Sequence, residues 1–327
     1  MKKLIDPMGR HINYLRVSLI KRCNLRCGYC YGPEMTHRES EDQLSLPDTL
    51  RLIKTFASLG ITKVRFTGGE PLLRREIVDL VHQTSLLSGI SMIGLTTNGL
   101  LLEPKLPSLI NAGLNRLNIS LDTLDRTVFR KVTGVNGFDR VYSAITTAEQ
   151  SGAFDCIKIN TVVMRNINDH EIHRFALWAL ERKIDLRLIE FMPTRGSGWG
   201  QDLFVSEDEI RNQIGLMLEP LPVNNNSPGP ARTYTLPGAP GRISFISAIS
   251  RNFCHKCNRL RLTSDGVLLG CLFLNKGIDL KPVLAGNRGN HEIARVIRHI
   301  LTAPGLRRMP EETSILRANP FMRMVGG

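Results

Sequence analysis

The sequence lacks any long apolar run. No stretch of about 18 uncharged apolar residues is present, which is the length that a helix needs to cross a bilayer. The opening residues, MKKLIDPMGR, are partly basic but have no apolar core behind them, as a secretory signal would. We therefore expect no signal peptide, no membrane span and a cytoplasmic location.

Aromatic residues are also scarce, and acidic residues are outnumbered by basic ones. Phe, Trp and Tyr make up 6% of the chain, and 43 Lys and Arg against 30 Asp and Glu give a formal net charge of +13. A basic balance favours anionic partners such as nucleotides and nucleic acids. Because binders of single-stranded nucleic acid stack bases on aromatic side chains, a zinc-containing nucleic-acid-binding protein is only an alternative interpretation.

Cysteine is the third scarce residue type, with seven in 327 positions, yet three of them share one short loop. Cys23, Cys27 and Cys30 form the pattern C-x3-C-x2-C. Structural zinc sites pair cysteines as C-x2-C and need four ligands, so three thiolates alone fit three corners of a [4Fe–4S] cluster better. The fourth iron is then open to a small molecule. Zinc with a distant fourth ligand such as His37 remains the alternative.

A second group, Cys254, Cys257 and Cys271, again offers three thiolates. A zinc ribbon needs a fourth ligand, and His255 could supply it, so zinc remains an alternative to a cluster here too. The seventh cysteine, Cys156, lies in a strand-like run and is predicted to be a small buried residue.

Short β-rich runs alternate with stretches of helical spacing over residues 15–192. Pro47 suits the start of the first helix and Gly60 its end, and Gly113 and Gly152 close two later helices. The six predicted strands are Leu15–Ile20, Ile61–Thr67, Ser91–Thr97, Arg116–Leu121, Cys156–Val163 and Ile184–Phe191. Six strand–helix pairs in succession predict a parallel sheet, either doubly wound or curled into a barrel.

The polar residues of these strands share one parity, as Arg16, Arg65 and Lys158 illustrate. Parallel strands covered on both faces are apolar throughout, so alternation indicates that one face is not covered by helices. A curled sheet with a polar, basic lumen explains the alternation. The predicted fold is α/β, a partial (β/α)6 TIM-like barrel with a smaller C-terminal α+β domain.

The amino-acid composition changes after the sixth strand, where turn-forming residues become frequent. We predict that residues 1–192 form the barrel and residues 193–310 form the C-terminal domain with the second cysteine group. A helix is expected near His291–Leu301. Residues 311–327 are predicted to be a tail that ends in Gly326 and Gly327.

The cysteine loop resembles that of the radical S-adenosylmethionine (SAM) superfamily, with an aromatic residue, Tyr29, before its last cysteine. The stretch from Thr67 to Pro71 resembles the GGEP motif of that superfamily, where glycines suit a turn whose backbone approaches a ligand. The resemblance implies that the first [4Fe–4S] cluster binds SAM and cleaves it to a 5′-deoxyadenosyl radical. It further implies SAM contacts at Tyr29, Gly69, Ser120 and Met192.

The run FCHKCNRLRLTSDG, the later GCLF and the final Gly-Gly narrow the resemblance to the GTP 3′,8-cyclase family. The resemblance implies conversion of GTP to (8S)-3′,8-cyclo-7,8-dihydroguanosine 5′-triphosphate, the first step of molybdenum cofactor biosynthesis. It implies that a second [4Fe–4S] cluster on Cys254, Cys257 and Cys271 contacts the guanine, and that the terminal Gly326 and Gly327 enter the site. The implied GTP contacts are Arg16, Arg65, Thr96, Lys158, Arg259 and Arg261.

The family resemblance also implies partners: a homodimer, a flavodoxin-like one-electron donor and cyclic pyranopterin monophosphate synthase as the downstream enzyme. One departure from the family pattern is Gly270, where a proline is expected. The alternative within the same superfamily is an enzyme that acts on RNA or a peptide.

Overall fold

The structure is a computed structural model that describes residues 3–30, 43–192, 200–222, 229–251, 253–274, 276–286 and 289–307. Predictions that concern His37, the tail 311–327 and its terminal Gly326 and Gly327 fall outside the described residues.

Strands and helices alternate along the first part of the chain, as predicted. In the described part the strands are β1 (Tyr14–Ser18), β2 (Lys63–Thr67), β3 (Met92–Thr97), β4 (Arg116–Ser120), β5 (Ile157–Val163), β6 (Ile184–Glu190), β7 (Glu219–Pro220), β8 (Arg232–Thr235), β9 (Arg242–Ile246), β10 (Arg259–Leu262), β11 (Val267–Leu269) and β12 (Ile278–Asp279). The α-helices there are α1 (Leu46–Ser58), α2 (Ile77–Ser85), α3 (Leu102–Asn111), α4 (Arg126–Thr133), α5 (Phe138–Gln150), α6 (Ile172–Leu180), α7 (Glu207–Ile214), α8 (Lys281–Ala285) and α9 (Asn290–Thr302). None of these helices is both long and apolar enough to cross a bilayer.

Helix α1 shows how the local sequence sets the bounds of an element. The side chain of Ser45 caps it by accepting a hydrogen bond from the N–H of Asp48, and Pro47 lies in its first turn. The chain leaves the helix through Gly60, whose φ of +97° is a conformation that side chains other than hydrogen disfavour. The predicted helix and its two boundary residues are therefore confirmed.

The described strands form one sheet in the order β12-β11-β10-β1-β2-β3-β4-β5-β6-β9-β8-β7. The six predicted strands correspond to β1–β6, which lie side by side in sequence order and run parallel. This confirms the predicted α/β fold. Within the described chain the end strands β7 and β12 do not pair with each other, so the sheet is an open partial barrel.

Strands from the later part of the chain extend this sheet at both edges. Strand β10 pairs in parallel with β1, and β9 pairs in parallel with β6. Beyond them, β11 and β12 on one side and β8 and β7 on the other run antiparallel. Segments before and after residue 192 thus share one sheet, and the domain boundary predicted there stays a prediction.

The apolar side of the sheet packs on the helices in one hydrophobic core. Leu15, Val64 and Leu117 from the strands are fully buried together with Phe56 and Leu109 from α1 and α3. Each such burial contributes about 1.5–3 kcal/mol. The strand side chains at the alternate positions, which include the predicted polar residues, face away from this core.

Candidate active site

The polar side of the sheet lines a large cavity with a volume of about 1230 Å³. A site for one drug-sized ligand measures roughly 300–1,000 Å³, so this cavity has room for more than one molecule. Every described residue that was predicted to bind a [4Fe–4S] cluster, SAM or GTP lines it. These are Cys23, Cys27, Cys30, Cys254, Cys257, Cys271, Tyr29, Gly69, Ser120, Met192, Arg16, Arg65, Thr96, Lys158, Arg259 and Arg261.

The first cysteine group lies on the loop after β1, where the end of α4 supports it. The N–H of Arg26 donates to the carbonyl oxygen of Thr133 at 2.8 Å, and the N–H of Gly28 donates to that of Val132 at 3.1 Å. These bonds use carbonyls that the helix end leaves unpaired. We call Cys23, Cys27 and Cys30 the proximal group.

Tyr29 is held by a carboxylate that the sequence analysis did not single out. Its hydroxyl donates to Oδ2 of Asp122 at 2.8 Å, while Oδ1 of Asp122 accepts from the N–H of Val162 at 2.9 Å. Burial raises the pKa of Asp122 to about 6 and, with the nearby carboxylate, also raises that of Tyr29. The last turn of the cysteine loop is thus fastened to the sheet.

The Cys27 thiol is in a setting that favours its protonated form unless positive charge is added. Burial, followed by the charges of Asp122, Cys30 and Cys23, raises the pKa of the Cys27 thiol well above its ordinary value. Thiolates are stabilised by a metal that they coordinate. The donor set therefore fits an iron–sulfur cluster, whose irons supply the missing positive charge.

The glycines of the TGGEP stretch are required by the cysteine loop itself. A Cβ atom at Gly69 would come within 2.6 Å of the carbonyl oxygen of Lys21 and closer still to that of Arg22. The N–H of Glu70 donates to the carbonyl oxygen of Arg22 at 2.8 Å. These glycines were predicted to suit a turn whose backbone approaches a ligand, and the structure adds the close approach of the cysteine loop.

The carboxylate of Glu70 points to its neighbours and is not part of the cavity lining. It accepts hydrogen bonds from the hydroxyl of Thr97 and the N–H of Asn98, both at 2.7 Å, and from the N–H of Leu72 at 3.0 Å. Burial raises its pKa to about 7. It ties the loop after β2 to the loop after β3.

The second cysteine group, Cys254, Cys257 and Cys271, is hereafter the distal group. Cys254 begins a one-turn helix that ends at Lys256, Cys257 directly follows that helix, and Cys271 follows β11; all three line the cavity. His255 is exposed and is not part of the lining, so a zinc ribbon that uses it is disfavoured. Among the described residues no three His, Cys, Asp or Glu are arranged to hold one metal ion. A cluster differs because its thiolates bind separate irons.

The distal thiols lie among cations, unlike the proximal thiols. Burial alone would raise the pKa of Cys257, but the charge of Arg259 and its hydrogen bonds lower it to about 7. A low thiol pKa favours the thiolate, which is the form that binds iron. The guanidinium of Arg259 also lies 5.3 Å from the ring centre of Phe253.

Three arginines from adjacent strands stand at one level of the sheet. Arg16 of β1 is in register with Arg261 of β10 on one side and with Arg65 of β2 on the other. Burial, then the charge of Arg261, lowers the pKa of Arg16, and burial with Arg259 lowers that of Arg261 to about 10. Cations crowded in this way favour the binding of a polyanion.

Gly94 provides the space that Arg65 occupies. The Arg65 side chain donates from Nε to the hydroxyl of Tyr14 at 2.6 Å and from Nη1 to Oδ1 of Asn118 at 2.9 Å. A Cβ atom at Gly94, the next residue in register, would lie 2.6 Å from the guanidinium carbon. The small residue on β3 lets the guanidinium lie across the floor of the cavity.

Lys158 lies at the next level, in register with Asn118 on β4 and Asp185 on β6. The charge of Arg187, followed by burial, lowers the pKa of Lys158 to about 7. Arg187 lines the cavity and forms an ion pair with Asp185 at 3.1 Å. It was not among the predicted residues, although its alternation with Leu186 and Leu188 on β6 carries the same polar parity.

Among the uncharged side chains of the lining, two buried polar atoms have no hydrogen-bond partner within the described chain. They are the hydroxyl oxygen of Thr96 and Oδ1 of Asn160. An unsatisfied buried polar atom costs about 1–3 kcal/mol, so both atoms fit a polar ligand in the cavity. Thr96 was predicted to contact the substrate, whereas Asn160 shared the polar parity without an assigned role.

Two further residues show what the sequence patterns did not reveal. Asn98 follows β3, and its Nδ2 lies 3.7 Å from the Sγ of Cys23 and donates to Oδ1 of Asn24 at 2.7 Å. Cys156 is buried, as predicted, yet it also lines the cavity. Neither position could be predicted locally, because each depends on how segments far apart in the sequence assemble.

The sequence matches two family profiles that divide the chain between them. Residues 17–179 match the Radical SAM superfamily, and residues 184–304 match Molybdenum Cofactor Synthesis C. In fold, the chain is similar to Streptococcus suis SuiB, with a TM-score of 0.65 at 17% identity, over 98% of this chain and 74% of that one.

Two relatives are much more similar in sequence. A GTP 3′,8-cyclase from Thermodesulfovibrio yellowstonii is 43% identical over 98% of this chain and 99% of its own. A GTP 3′,8-cyclase from Geobacter sulfurreducens is also 43% identical, over 86% of this chain and 87% of its own. Together with the two cysteine groups on one cavity, these matches show that the chain belongs to the GTP 3′,8-cyclase family of the radical SAM superfamily.

Proposed function

We propose that this protein is an enzyme that converts GTP to (8S)-3′,8-cyclo-7,8-dihydroguanosine 5′-triphosphate, the first step of molybdenum cofactor biosynthesis. The observation that carries this proposal is the joint lining of one cavity by two three-cysteine groups and a row of buried and half-buried cations. The radical cofactor requires a cluster with one open iron, which three cysteine ligands leave. The nucleoside triphosphate requires fixed positive charge.

The proximal group is proposed to hold a [4Fe–4S] cluster with SAM on its open iron. When bound, this pair supplies a carbon radical that removes a hydrogen atom from an unactivated C–H bond. Tyr29, Gly69, Ser120 and Met192 are proposed to contact SAM. The bond between Tyr29 and Asp122 orients the loop that carries the last cysteine.

The distal group is proposed to hold a second [4Fe–4S] cluster that contacts the guanine of GTP. Arg16, Arg65, Thr96, Lys158, Arg259 and Arg261 are proposed to bind GTP, and Arg187 is added because it lies beside Lys158. Their task is to fix the ribose between the two cofactors, because orientation supplies much of the rate in such reactions. Gly326 and Gly327 are proposed to complete the site.

Partners are part of this proposal. A flavodoxin-like protein would supply the electron, the enzyme would form a homodimer, and cyclic pyranopterin monophosphate synthase would consume the product. The relatives named GTP 3′,8-cyclase and the matched Molybdenum Cofactor Synthesis C profile support the assignment to this route.

The test is anaerobic reconstitution with iron and sulfide, followed by SAM and a reductant, with 5′-deoxyadenosine measured by mass spectrometry. We expect GTP to stimulate cleavage and a new product with the mass of GTP to form. A rate of SAM cleavage that does not change when GTP is added would contradict the substrate assignment and favour RNA or a peptide as the substrate. A colourless, zinc-containing preparation without cleavage would contradict the radical mechanism itself.

A further inference from the structure

A buried carboxylate joins two buried arginines beside the distal group. Oδ2 of Asp6 accepts a hydrogen bond from Nε of Arg10 and another from Nε of Arg307, both at 2.6 Å. The exposed fractions of the three side chains are 0%, 6% and 4%. We call these three residues the Asp6 cluster. It connects residues near the two ends of the described chain, which are 301 positions apart.

The remaining donors of the Asp6 cluster reach the backbone of the distal group. Nη1 of Arg10 donates to the carbonyl oxygen of Cys254 at 2.7 Å, and Nη2 of Arg307 donates to that of Cys257 at 2.9 Å. Nη1 of Arg307 donates to the carbonyl oxygen of Gly270 at 3.0 Å, directly before Cys271. The arginines therefore contact the chain at or beside all three distal cysteines.

Gly270 permits this contact with the third cysteine. A Cβ atom at Gly270 would overlap the carbonyl oxygen of Leu306 and lie 3.5 Å from Cβ of Arg307. The family pattern has a proline at this position, and this chain departs from it. The departure allows the segment that ends at Arg307 to lie directly against the backbone that leads into Cys271.

An ordinary buried ion pair is a weaker explanation of these contacts. Replacing a buried ion pair by apolar residues is often neutral or stabilising, so stability alone gives little reason to bury three charged groups. Here the carbonyls that accept from the two arginines, including that of Arg259 at 3.1 Å, all lie between residues 254 and 270. Two cations against one carboxylate also leave net positive charge beside the thiolates. Burial opposes ionisation of Asp6, but its hydrogen bonds to both arginines lower its pKa.

We propose that the Asp6 cluster positions the distal group. It holds the three cysteines in the arrangement that accepts a [4Fe–4S] cluster, and it offsets part of the thiolate charge. This inference rests on the proposed function, because it assumes that the distal group binds a second [4Fe–4S] cluster. Asp6, Arg10 and Arg307 are positioning residues that act through the backbone of the ligands.

The test compares Asp6→Asn, Arg307→Lys and Gly270→Ala with the wild-type chain after anaerobic reconstitution. Iron and sulfide per chain are measured together with the electron paramagnetic resonance spectrum of the reduced protein. Two clusters correspond to about eight irons, so we expect each variant to fall to about four and to lose one of two signals. Loss of a supporting contact typically weakens metal binding by about 10–100-fold.

Basal cleavage of SAM at the proximal group distinguishes a positioning role of the Asp6 cluster from general destabilisation of the protein. We expect the variants to keep basal cleavage of SAM without GTP, because the proximal group lies on another loop. Arg307→Lys keeps the charge but loses the planar fork that reaches two carbonyls and Asp6, so it should not rescue cluster binding.

A matched control is Arg182→Lys, which alters another partly buried arginine–carboxylate pair. Arg182 pairs with Glu149, their exposed fractions are 24% and 16%, and neither residue lines the cavity. We expect this variant to lower the melting temperature of the cluster-free protein and to retain about eight irons.

Two results would overturn the proposal. One is a full iron content with both signals in Asp6→Asn and Arg307→Lys, which would leave the proposed function intact. The other is an equal loss of both clusters that Arg182→Lys reproduces, which would indicate general destabilisation. A wild-type chain with only about four irons would instead contradict the second cluster in the proposed function, and the inference would fall with it.

Discussion

The proximal and distal groups each offer three thiols, but Cys27 of the first group and Cys257 of the second lie in opposite electrostatic settings. The proximal group is fastened by backbone hydrogen bonds to α4, and Asp122 beside it helps to raise the pKa of Cys27. The distal group is fastened by arginine side chains, and Arg259 lowers the pKa of Cys257 to about 7. The comparison teaches that ligand type alone does not define a cluster site. The charge around it decides which molecules it suits, and the cationic distal end suits a polyanion such as a nucleoside triphosphate.

The largest expected effect comes from removing one thiol from each group. Cys27→Ser should reduce both SAM cleavage and product formation to background, because the proximal cluster is proposed to start the reaction. Cys257→Ser should abolish the GTP-derived product and retain basal cleavage. Mass spectrometry of 5′-deoxyadenosine and of the nucleotide measures both. Equal loss of SAM cleavage in the two variants would contradict the separate roles proposed for the proximal and distal groups.

A smaller effect is expected from the cations between the groups. Arg16→Gln and Arg261→Gln should each weaken GTP binding about 10–100-fold, since a charge-assisted hydrogen bond contributes about 1.5–3 kcal/mol. Equilibrium dialysis on the reconstituted protein measures the dissociation constant. Arg295→Gln is the control, because its ion pair with Glu292 lies on the exposed α9 surface. An unchanged constant in both lumen variants would contradict their assignment.

The opposite thiol settings can be tested directly on the cluster-free, reduced protein. At pH 8, above its pKa of about 7, Cys257 should be mainly thiolate, whereas the raised pKa of Cys27 keeps that thiol protonated. Alkylation followed by peptide mass spectrometry should therefore label Cys257 faster than Cys27, because the thiolate is the form that reacts. Arg259→Gln should slow labelling of Cys257, and Asp122→Asn should speed that of Cys27. Labelling at equal rates would refute the comparison.

The smallest expected effect is a change of GTP affinity with pH. Lys158 has a pKa lowered to about 7, so its ammonium is present below pH 7 and is lost as pH rises through that value. Binding of a triphosphate should therefore weaken by a few-fold, roughly one ion-pair contribution, between pH 6 and pH 8. Lys158→Arg stays charged over this pH range, and the phosphate of GTP titrates alike with both proteins, so the difference between them isolates the lysine. If this variant shows the same pH dependence, Lys158 is not the titrating group.

Much of the fold and of the ligand set could be predicted from short patterns. The strands β1–β6 and the helix α1 follow, to within two residues at each end, from alternation, Pro47 and Gly60, because these signals act within a few residues. The polar parity of Arg16, Arg65 and Lys158 correctly indicated an open face of the sheet. The same parity on β6 could have identified Arg187, but no pattern predicted that β9 and β10 would join the sheet at opposite edges.

The residue types that this protein can use are written in its sequence: two sets of three thiols, cations at alternate strand positions, and glycines at turns. Which of them meet depends on the assembled fold. Asp122 reaches Tyr29 across 93 positions, and Arg307 reaches Asp6 across 301. The physical reason is that secondary structure follows from interactions between near neighbours, whereas burial and charge pairing depend on distances between strands that only the assembled sheet sets.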